Sequence, residues 1–302
     1  MSALNPKIDQ VGNVHQAMYQ RVDQLLQHGL IKSASYRSVT ASTNSDAVAD
    51  VQAFAQQSPT SWSETPSQVD LDEVLPRLYL TDRQTGGRGR QGSRWDSSDD
   101  AVTFSLLIKL PTTSEIADLL SLAIGVAVAR AVEFLCAPVR VQLKWPNDLC
   151  TLFAADQAAV PQLGKLGGIL IEANAGQLDC RVIGVGVNLN DAPEISDPNA
   201  LPAFALAKLT GRALAREEVV AALIESIVEV LEELAEDSAS VLQQYRDRCA
   251  LTGQHLSMQV GDQQIEGLCL GVDEAGGLQL QTAAQVMTLR SGQVKKIRPA
   301  AS

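Results

Sequence analysis

Residues 81 to 95, TDRQTGGRGRQGSRW, set the tightest limit on what this chain can fold into. Gly87, Gly89 and Gly92 have the G-x-G-x-x-G spacing of a loop that wraps a dinucleotide pyrophosphate, and Arg77 to Thr81 reads as a short strand leading into it. A doubly wound dinucleotide fold needs a helix directly after those glycines, with its N-terminus turned to the phosphates. SRWDSSDDAV follows instead, without an apolar helical run, and leads into AVTFSLLIKLP, 101 to 111, a strand whose dense apolar centre implies burial on both faces. A glycine loop that joins two strands argues against the doubly wound reading. Its arginines then carry the information. In an extended segment Arg88 and Arg90 leave on the same side, and two guanidiniums side by side suit an anion between them. Taken alone, the loop is also compatible with a solvated segment carrying incidental basic residues.

Periodicity places helices and strands around this loop. A helix is predicted over 14 to 28, with Val14, Met18, Val22, Leu25 and Leu26 on one face and Gly29 as its stop. A second starts near Thr43 and carries Ala47, Val48, Val51 and Phe54 at helical spacing. The Ser, Thr and Pro content of 56 to 70 predicts an exposed loop. Thr112 and Glu115 fit a capping box for a helix with Ile116, Leu119, Leu120, Ala123, Val126 and Ala127 inward. Strands are expected at 139 to 144, 168 to 173 and 180 to 188, a proline-rich loop at 191 to 203, and helices at about 216 to 235 and 238 to 249. From His255 the pattern becomes short alternating runs with a Gly276-Gly277 turn, which predicts a small β-barrel.

The 302 residues carry a net charge of −11, which argues against a general nucleic-acid or anionic-membrane binder. Any phosphate-bearing ligand must therefore meet a local concentration of arginine and lysine. MSALNPKIDQVGN has no apolar signal core and no stretch of about 18 apolar residues follows, so a cytoplasmic protein is expected. The five cysteines are scattered without C-x-x-C spacing and read as reduced buried thiols. The three histidines have no zinc-site spacing.

Three further segments concentrate the needed chemistry. KWPND, 144 to 148, sets a cation, a turn and a carboxylate at the end of a strand. Pro146 and Asn147 as a turn with Asp148 as a cap explain part of it structurally, while Lys144 and Asp148 also suit phosphate and Mg²⁺. In GKLGGILIEA, 164 to 173, Lys165 precedes Gly167 and Gly168 at the mouth of a strand. In IGVGVNLN, 183 to 190, Gly184 and Gly186 thin an apolar strand, so something should press against that backbone. Convergent cations without a histidine base or serine triad suit a protein that positions an anionic substrate against a nucleotide triphosphate.

STN at 42 to 44, RQTGGRGRQGSRW at 83 to 95, KWPND, KLGGILIE at 165 to 172 and IGVGVNLN together resemble, in order, the motif series of biotin protein ligases. The resemblance implies an α+β fold: a central mixed β-sheet flanked by helices, of the class II synthetase-like type, plus a small C-terminal SH3-like β-barrel. It implies a catalytic domain over 41–250, a small domain over 251–302 and a helical extension over 1–40. That extension is too short for the winged helix of ligase-repressors, so operator binding is not expected. The implied reaction joins biotin and MgATP into biotinyl-5′-AMP, then transfers biotin to a lysine of the biotin carboxyl carrier protein of acetyl-CoA carboxylase or a related carboxylase.

By the family pattern Ser42, Thr43, Asn44, Gln84, Gly87, Arg88, Arg90, Trp95, Lys165, Gly168 and Gly184 would bind biotin. Arg88, Arg90, Trp95, Lys144, Lys165, Asn188 and Arg290 would hold ATP, and Asp148 would place Mg²⁺. Lys165 leads the catalytic set, with Arg88, Arg90 and Lys144. Loops 84 to 95 and 191 to 203 would close over biotin and adenine. Arg83 stands where the family more often has an acidic residue. Rival readings are a lipoate or octanoate ligase or transferase of the same superfamily and a biotin-binding protein without catalysis. The family also admits a homodimer; no nucleic-acid or membrane partner is expected.

Overall fold

The apolar run after the glycine loop forms a strand, Ala101–Lys109, in which every residue except Lys109 is buried. The structure, a computed structural model, describes residues 12–56, 70–96, 98, 100–110, 116–154, 162–173, 179–195 and 200–299. In chain order the elements begin with α1 (Gly12–Gln27), β1 (Ser33–Thr40), α2 (Thr43–Gln56), α3 (Leu71–Val74), β2 (Arg77–Gln84) and β3 (Ala101–Lys109). They continue with α4 (Ile116–Leu135), β4 (Gln142–Lys144), β5 (Asp148–Phe153), β6 (Gln162–Ala173), β7 (Cys180–Asn188), α5 (Leu206–Thr210), α6 (Arg216–Glu236) and α7 (Ser238–Arg248). Five strands close the described chain: β8 (Gln254–Val260), β9 (Gln263–Val272), β10 (Leu278–Gln281), β11 (Val286–Leu289) and β12 (Gln293–Pro299). The architecture is α+β, with a mixed sheet flanked by helices and a separate antiparallel sheet. No helix among the described residues is long and apolar enough to cross a membrane.

The chain forms two compact units, and β6 and α6 each run from one into the other. The first unit comprises 1–114, 168–193 and 205–225. Its strands neighbour one another in the order β1-β2-β3-β7-β6. β1 and β2 are parallel, whereas β2 with β3 and β3 with β7 are antiparallel. Helix α2 begins where the Ser42 carbonyl accepts the Asp46 N–H. Its Ala47 and Val51 pack in one core with Leu75, Tyr79, Leu107, Cys180 and Val182, and Val48 and Phe54 lie against that core. Each fully buried valine or leucine there contributes about 1.5–3 kcal/mol. That packing fixes the N-terminus of α2, and with it residues 42–44, over the sheet.

The second unit comprises 115–167, 194–204 and 226–302. α4 is apolar nearly all round and buried over most of its length, as a core helix should be. Ser226 donates to the Ala127 carbonyl at 2.9 Å, and Arg130 pairs with Glu233 at 2.6 Å, which ties α4 to the C-terminal half of α6. The strands from residue 254 onward make a five-stranded antiparallel sheet in the order β11-β10-β9-β8-β12. The predicted Gly276-Gly277 turn is present: Gly276 has φ +78°, and Asp273 Oδ1 accepts the N–H groups of Ala275 and Gly277 at 3.0 and 2.7 Å. Trp145, fully buried, donates its indole N–H to the Gly276 carbonyl at 3.0 Å.

Several boundaries differ from the sequence expectations. Strand β1, SASYRSVT, lies within the stretch expected as a helical extension; its alternation is polar, so nothing in its composition announces a strand. The strand expected at 139 to 144 starts only at Gln142, because Val139 closes a turn by donating to the Cys136 carbonyl. Within 151 to 162, residues 151–153 end β5 and Gln162 starts β6, while 155–161 lie outside the described residues. β2 continues to Gln84, three residues beyond expectation. The Thr112–Glu115 capping box and most of the 56 to 70 loop lie outside the described residues.

Candidate active site

In the first unit a buried hydrogen-bonded chain links residues that the sequence scatters over more than a hundred positions. Ser42, Thr43 and Asn44, at the start of α2, are each at most 4% exposed. Gln84 Oε1, at the end of β2, accepts the Thr43 N–H at 2.9 Å. The Ser105 hydroxyl, in the middle of β3 and wholly buried, lies 2.7 Å from Thr43 Oγ1 and 2.5 Å from Asn44 Oδ1. A carbonyl oxygen can only accept, so the Asn44 amide is oriented with Oδ1 towards Ser105 and Nδ2 the other way. That Nδ2 donates to Glu172 Oε2 at 2.7 Å and to the Leu170 carbonyl at 3.3 Å. Glu172 in turn receives Arg88 Nη2 at 3.1 Å on both oxygens.

The glycines beside this chain make room for side chains. A Cβ on Gly184 would overlap the Asn44 amide. A Cβ on Gly186 would stand 2.6 Å from two ring carbons of Trp95, and one on Gly87 would stand 2.5 Å from the Trp95 carbonyl. The pressure on the β7 backbone anticipated from its glycines thus comes from Asn44 and Trp95. Trp95 is also held by its N–H, which donates to the Gly87 carbonyl at 3.0 Å. Its buried indole Nε1 and the buried Thr103 Oγ1 have no hydrogen-bond partner among the described residues.

The glycine-arginine loop is more folded than an extended segment. Arg88 bridges Arg94 in antiparallel fashion, and a single 3-10 turn, Arg90–Gly92, begins at the second arginine. Gly92 takes φ +76° there. The loop is thus not one extended segment, which was the condition of the same-side expectation for Arg88 and Arg90, and Arg88 is directed to Glu172. Asn188, buried at the end of β7, pairs in register with Ala101 of β3.

In the second unit Asp148 gathers two cations. Lys144 and Asp148 face each other across the β4–β5 hairpin, with Nζ 2.7 Å from Oδ2. Lys165 of β6 places its Nζ 2.6 Å from Oδ1. Burial by itself would raise the Asp148 pKa, but Lys144 and Lys165 outweigh it and hold the carboxyl at about 2. The backbone of Lys165 is fixed too: its N–H donates to Pro202 and its carbonyl accepts the Phe204 N–H, both at 2.8 Å. The neighbouring Cys150 thiol is pushed up to about 12 by burial and by Asp148, which removes it as a nucleophile.

The donor set does not suit a protein-held Mg²⁺. Both Asp148 oxygens already face ammonium groups, and no cluster of three metal-ligating side chains occurs among the described residues. Arg290 is engaged elsewhere: Nη1 donates to the Ala275 carbonyl at 2.7 Å and Nη2 lies 3.6 Å from Asp273 Oδ2, at the β9–β10 turn.

Ser105 and Glu172 are the members of this site that sequence reasoning left without a role. The signal for Ser105 was present as one hydroxyl inside the apolar run AVTFSLLIK. Glu172 was the acidic residue ending the β6 run GILIE.

Residues 69–188 match the biotin/lipoate A/B protein ligase family. A Mycobacterium tuberculosis biotin–(acetyl-CoA-carboxylase) ligase is 29% identical, over 77% of this chain and 82% of that protein. The Paracoccus denitrificans protein of the same name is 26% identical over 71% of this chain and 88% of its own length. The Escherichia coli bifunctional ligase/repressor BirA is 27% identical over 71% of this chain, which spans 64% of the repressor. Among solved structures, the Aquifex aeolicus biotin protein ligase in complex with biotin and ATP superposes with a TM-score of 0.66 at 24% identity, covering 89% of this chain and 99% of that one.

Proposed function

We propose that the chain is a biotin–protein ligase of the biotin/lipoate A/B protein ligase family, whose model matches residues 69–188. A biotin carboxylate oxygen attacks the α-phosphorus of ATP, the bond to the β-phosphate bridge breaks, and pyrophosphate leaves. The amine of a lysine on a biotin carboxyl carrier protein then attacks the acyl carbon of biotinyl-5′-AMP. The carbon–oxygen bond to phosphate breaks, AMP departs with the electron pair, and the amine proton passes to solvent.

The observation that carries this reading is the buried polar chain Gln84–Thr43–Ser105–Asn44–Glu172. A ureido ring brings one carbonyl and two N–H groups, which such a site can pair. A dithiolane or an alkyl chain brings none, so the Gln84 amide N–H groups, which the chain itself does not use, would lose water without gaining a partner, at a cost of about 1–3 kcal/mol. The names of the relatives support the same substrate.

In the proposed roles Ser42, Thr43, Asn44 and Gln84 recognise the ureido ring. Gln84 Oε1 is committed to Thr43, so its amide N–H groups are the donors it offers. Gly87, Gly168 and Gly184 keep the surrounding backbone thin. Trp95 covers the adenylate side, and its unpaired Nε1 is a donor for the ligand. Asn188 contacts adenine. Arg88 and Arg90 meet the carboxylate and α-phosphate, while Lys144 and Lys165 stabilise the charge that grows on the phosphates, Lys165 being the principal catalytic cation. Mg²⁺ enters with ATP as part of the substrate. Arg290 is left out of the nucleotide set because the Asp273–Gly277 turn holds it. The net charge of −11 supports a protein carrier over nucleic acid or an anionic membrane, and with it a cytoplasmic site of action.

The test is pyrophosphate release from MgATP. Biotin should trigger it, and lipoate or octanoate should not. Release with octanoate or lipoate but not biotin would transfer the protein to the other branch of the family.

A further inference from the structure

We propose that Asp148 is a positioning residue that holds Lys144 and Lys165 as one paired cationic unit, and that it is not a metal ligand. The inference rests on the ligase reading for its kinetic consequence, and on geometry alone for the rest.

Three side chains from three different strands meet at one carboxylate. Lys144 ends β4 and Asp148 opens β5, four residues on across a tight hairpin, whereas Lys165 comes from β6, so local spacing accounts for the first pair and not for the second. Each Asp148 oxygen takes one ammonium group, Oδ2 that of Lys144 and Oδ1 that of Lys165. The Lys144–Asp148 pair is sheltered, its side chains 12% and 15% exposed, so water screens it little, whereas the Lys165 side chain is 33% exposed. Without the carboxylate two ammonium groups would share this small space and repel. With it the trio carries a net single positive charge and the lysines have a shared, fixed anchor.

A divalent cation on Asp148 would have to sit beside both ammonium groups on a carboxylate already neutralised. The anchor also explains why Lys165 can serve as a pre-placed phosphate ligand at a backbone locked to Pro202 and Phe204. Preorganised charge needs no rearrangement as the transition state forms, which is where such charge is most effective.

Asp148→Asn separates the two readings. Its amide oxygen can still accept from one lysine, but its NH₂ faces the other. Biotin-dependent pyrophosphate release, normalised to active sites by the biotinyl-AMP formed in a single turnover, should fall 10–100-fold in kcat. The Michaelis constant for biotin and the half-saturating Mg²⁺ concentration should stay within about two-fold. Asp148→Glu, which keeps the charge, should recover part of the loss. A second arm needs no substrate: Mn²⁺ alone, titrated against the full chain and followed by electron paramagnetic resonance, should show no bound fraction that Asp148→Asn abolishes.

A ten-fold or larger rise in half-saturating Mg²⁺, or a bound Mn²⁺ fraction lost in Asp148→Asn, would overturn the proposal. So would a per-site rate equal to that of the wild type. Failure of the ligase reading looks different. The wild-type chain would then release no pyrophosphate with biotin, while the Mn²⁺ titration would still decide whether Asp148 binds metal.

Discussion

The Trp95 indole lies on the backbone of Gly186, so near that a methyl group at residue 186 would stand 2.6 Å from two of its ring carbons. The loop that carries the arginines is therefore anchored to the sheet by an aromatic side chain, and the anchor depends on the absence of one Cβ. Gly186→Ala should push the indole off β7 at a cost of about 1–3 kcal/mol, typical of overpacking. The expected readouts are a red-shifted tryptophan emission and a raised Michaelis constant for ATP. An unshifted emission with unchanged ATP kinetics would remove Trp95 from the nucleotide side.

Ser105 acts through its neighbours. Ser105→Ala would leave Asn44 Oδ1 buried without its donor, which costs about 1–3 kcal/mol. Because the loss falls on the side chain proposed to read the ureido ring, the Michaelis constant for biotin should rise by roughly ten-fold while that for ATP stays level. Equal changes in both would reduce Ser105 to a packing residue.

Glu172→Gln tests how much the Arg88 pair matters. Arg88 is 47% exposed, and pairs of this kind are screened and contribute little to stability, so the thermal midpoint should barely move. The biotin Michaelis constant should nevertheless rise, since the same carboxylate accepts from Asn44 at 2.7 Å. Isothermal calorimetry with biotin alone isolates that effect from catalysis.

The Asp148 carboxyl gives a pH signature. Its pKa is about 2 in the folded chain, against about 3.9 when unfolded, so the unfolded state takes up the proton first as pH falls. Its stabilising contribution is fully present above about pH 4 and is lost between roughly pH 4 and pH 2. Urea melts across that window should show a steeper loss of stability for the wild type than for Asp148→Asn. Identical slopes would mean the lysine pairs do not form in solution.

Much of the architecture was legible because the apolar periods are strong. The all-round apolar α4, the doubly buried β3 and the Gly276 turn all follow from their residues. Strand β1 was not, since SASYRSVT carries neither a helical stripe nor an apolar alternation and is made a strand by pairing with β2. The reach of β6 back to Gln162 was hidden for a similar reason: its early residues hold the Lys165 backbone against 202–204, a tertiary pairing that no local pattern records. At the site, the residue types of the arginine loop and KWPND were readable, but their partners were not. That Gly184 makes room for Asn44, that Ser105 orients that amide and that Asp148 binds two lysines are facts of three-dimensional packing.

Lys165→Ala should leave the fold intact and slow adenylate formation by roughly 10–100-fold, the loss of about 1.5–3 kcal/mol from a charge-assisted contact. Rapid-quench measurement of biotinyl-AMP formation checks it, and an unaltered rate would withdraw Lys165 from the chemistry.

Covalent transfer of biotin to a carrier lysine is the defining activity. Incubated with biotin, MgATP and a biotin carboxyl carrier domain, the protein should add one biotinyl mass to the carrier lysine, as read by intact-protein mass spectrometry, and nothing when biotin is omitted. A carrier left unmodified by biotin, or one that gains a lipoyl or octanoyl mass instead, would contradict it.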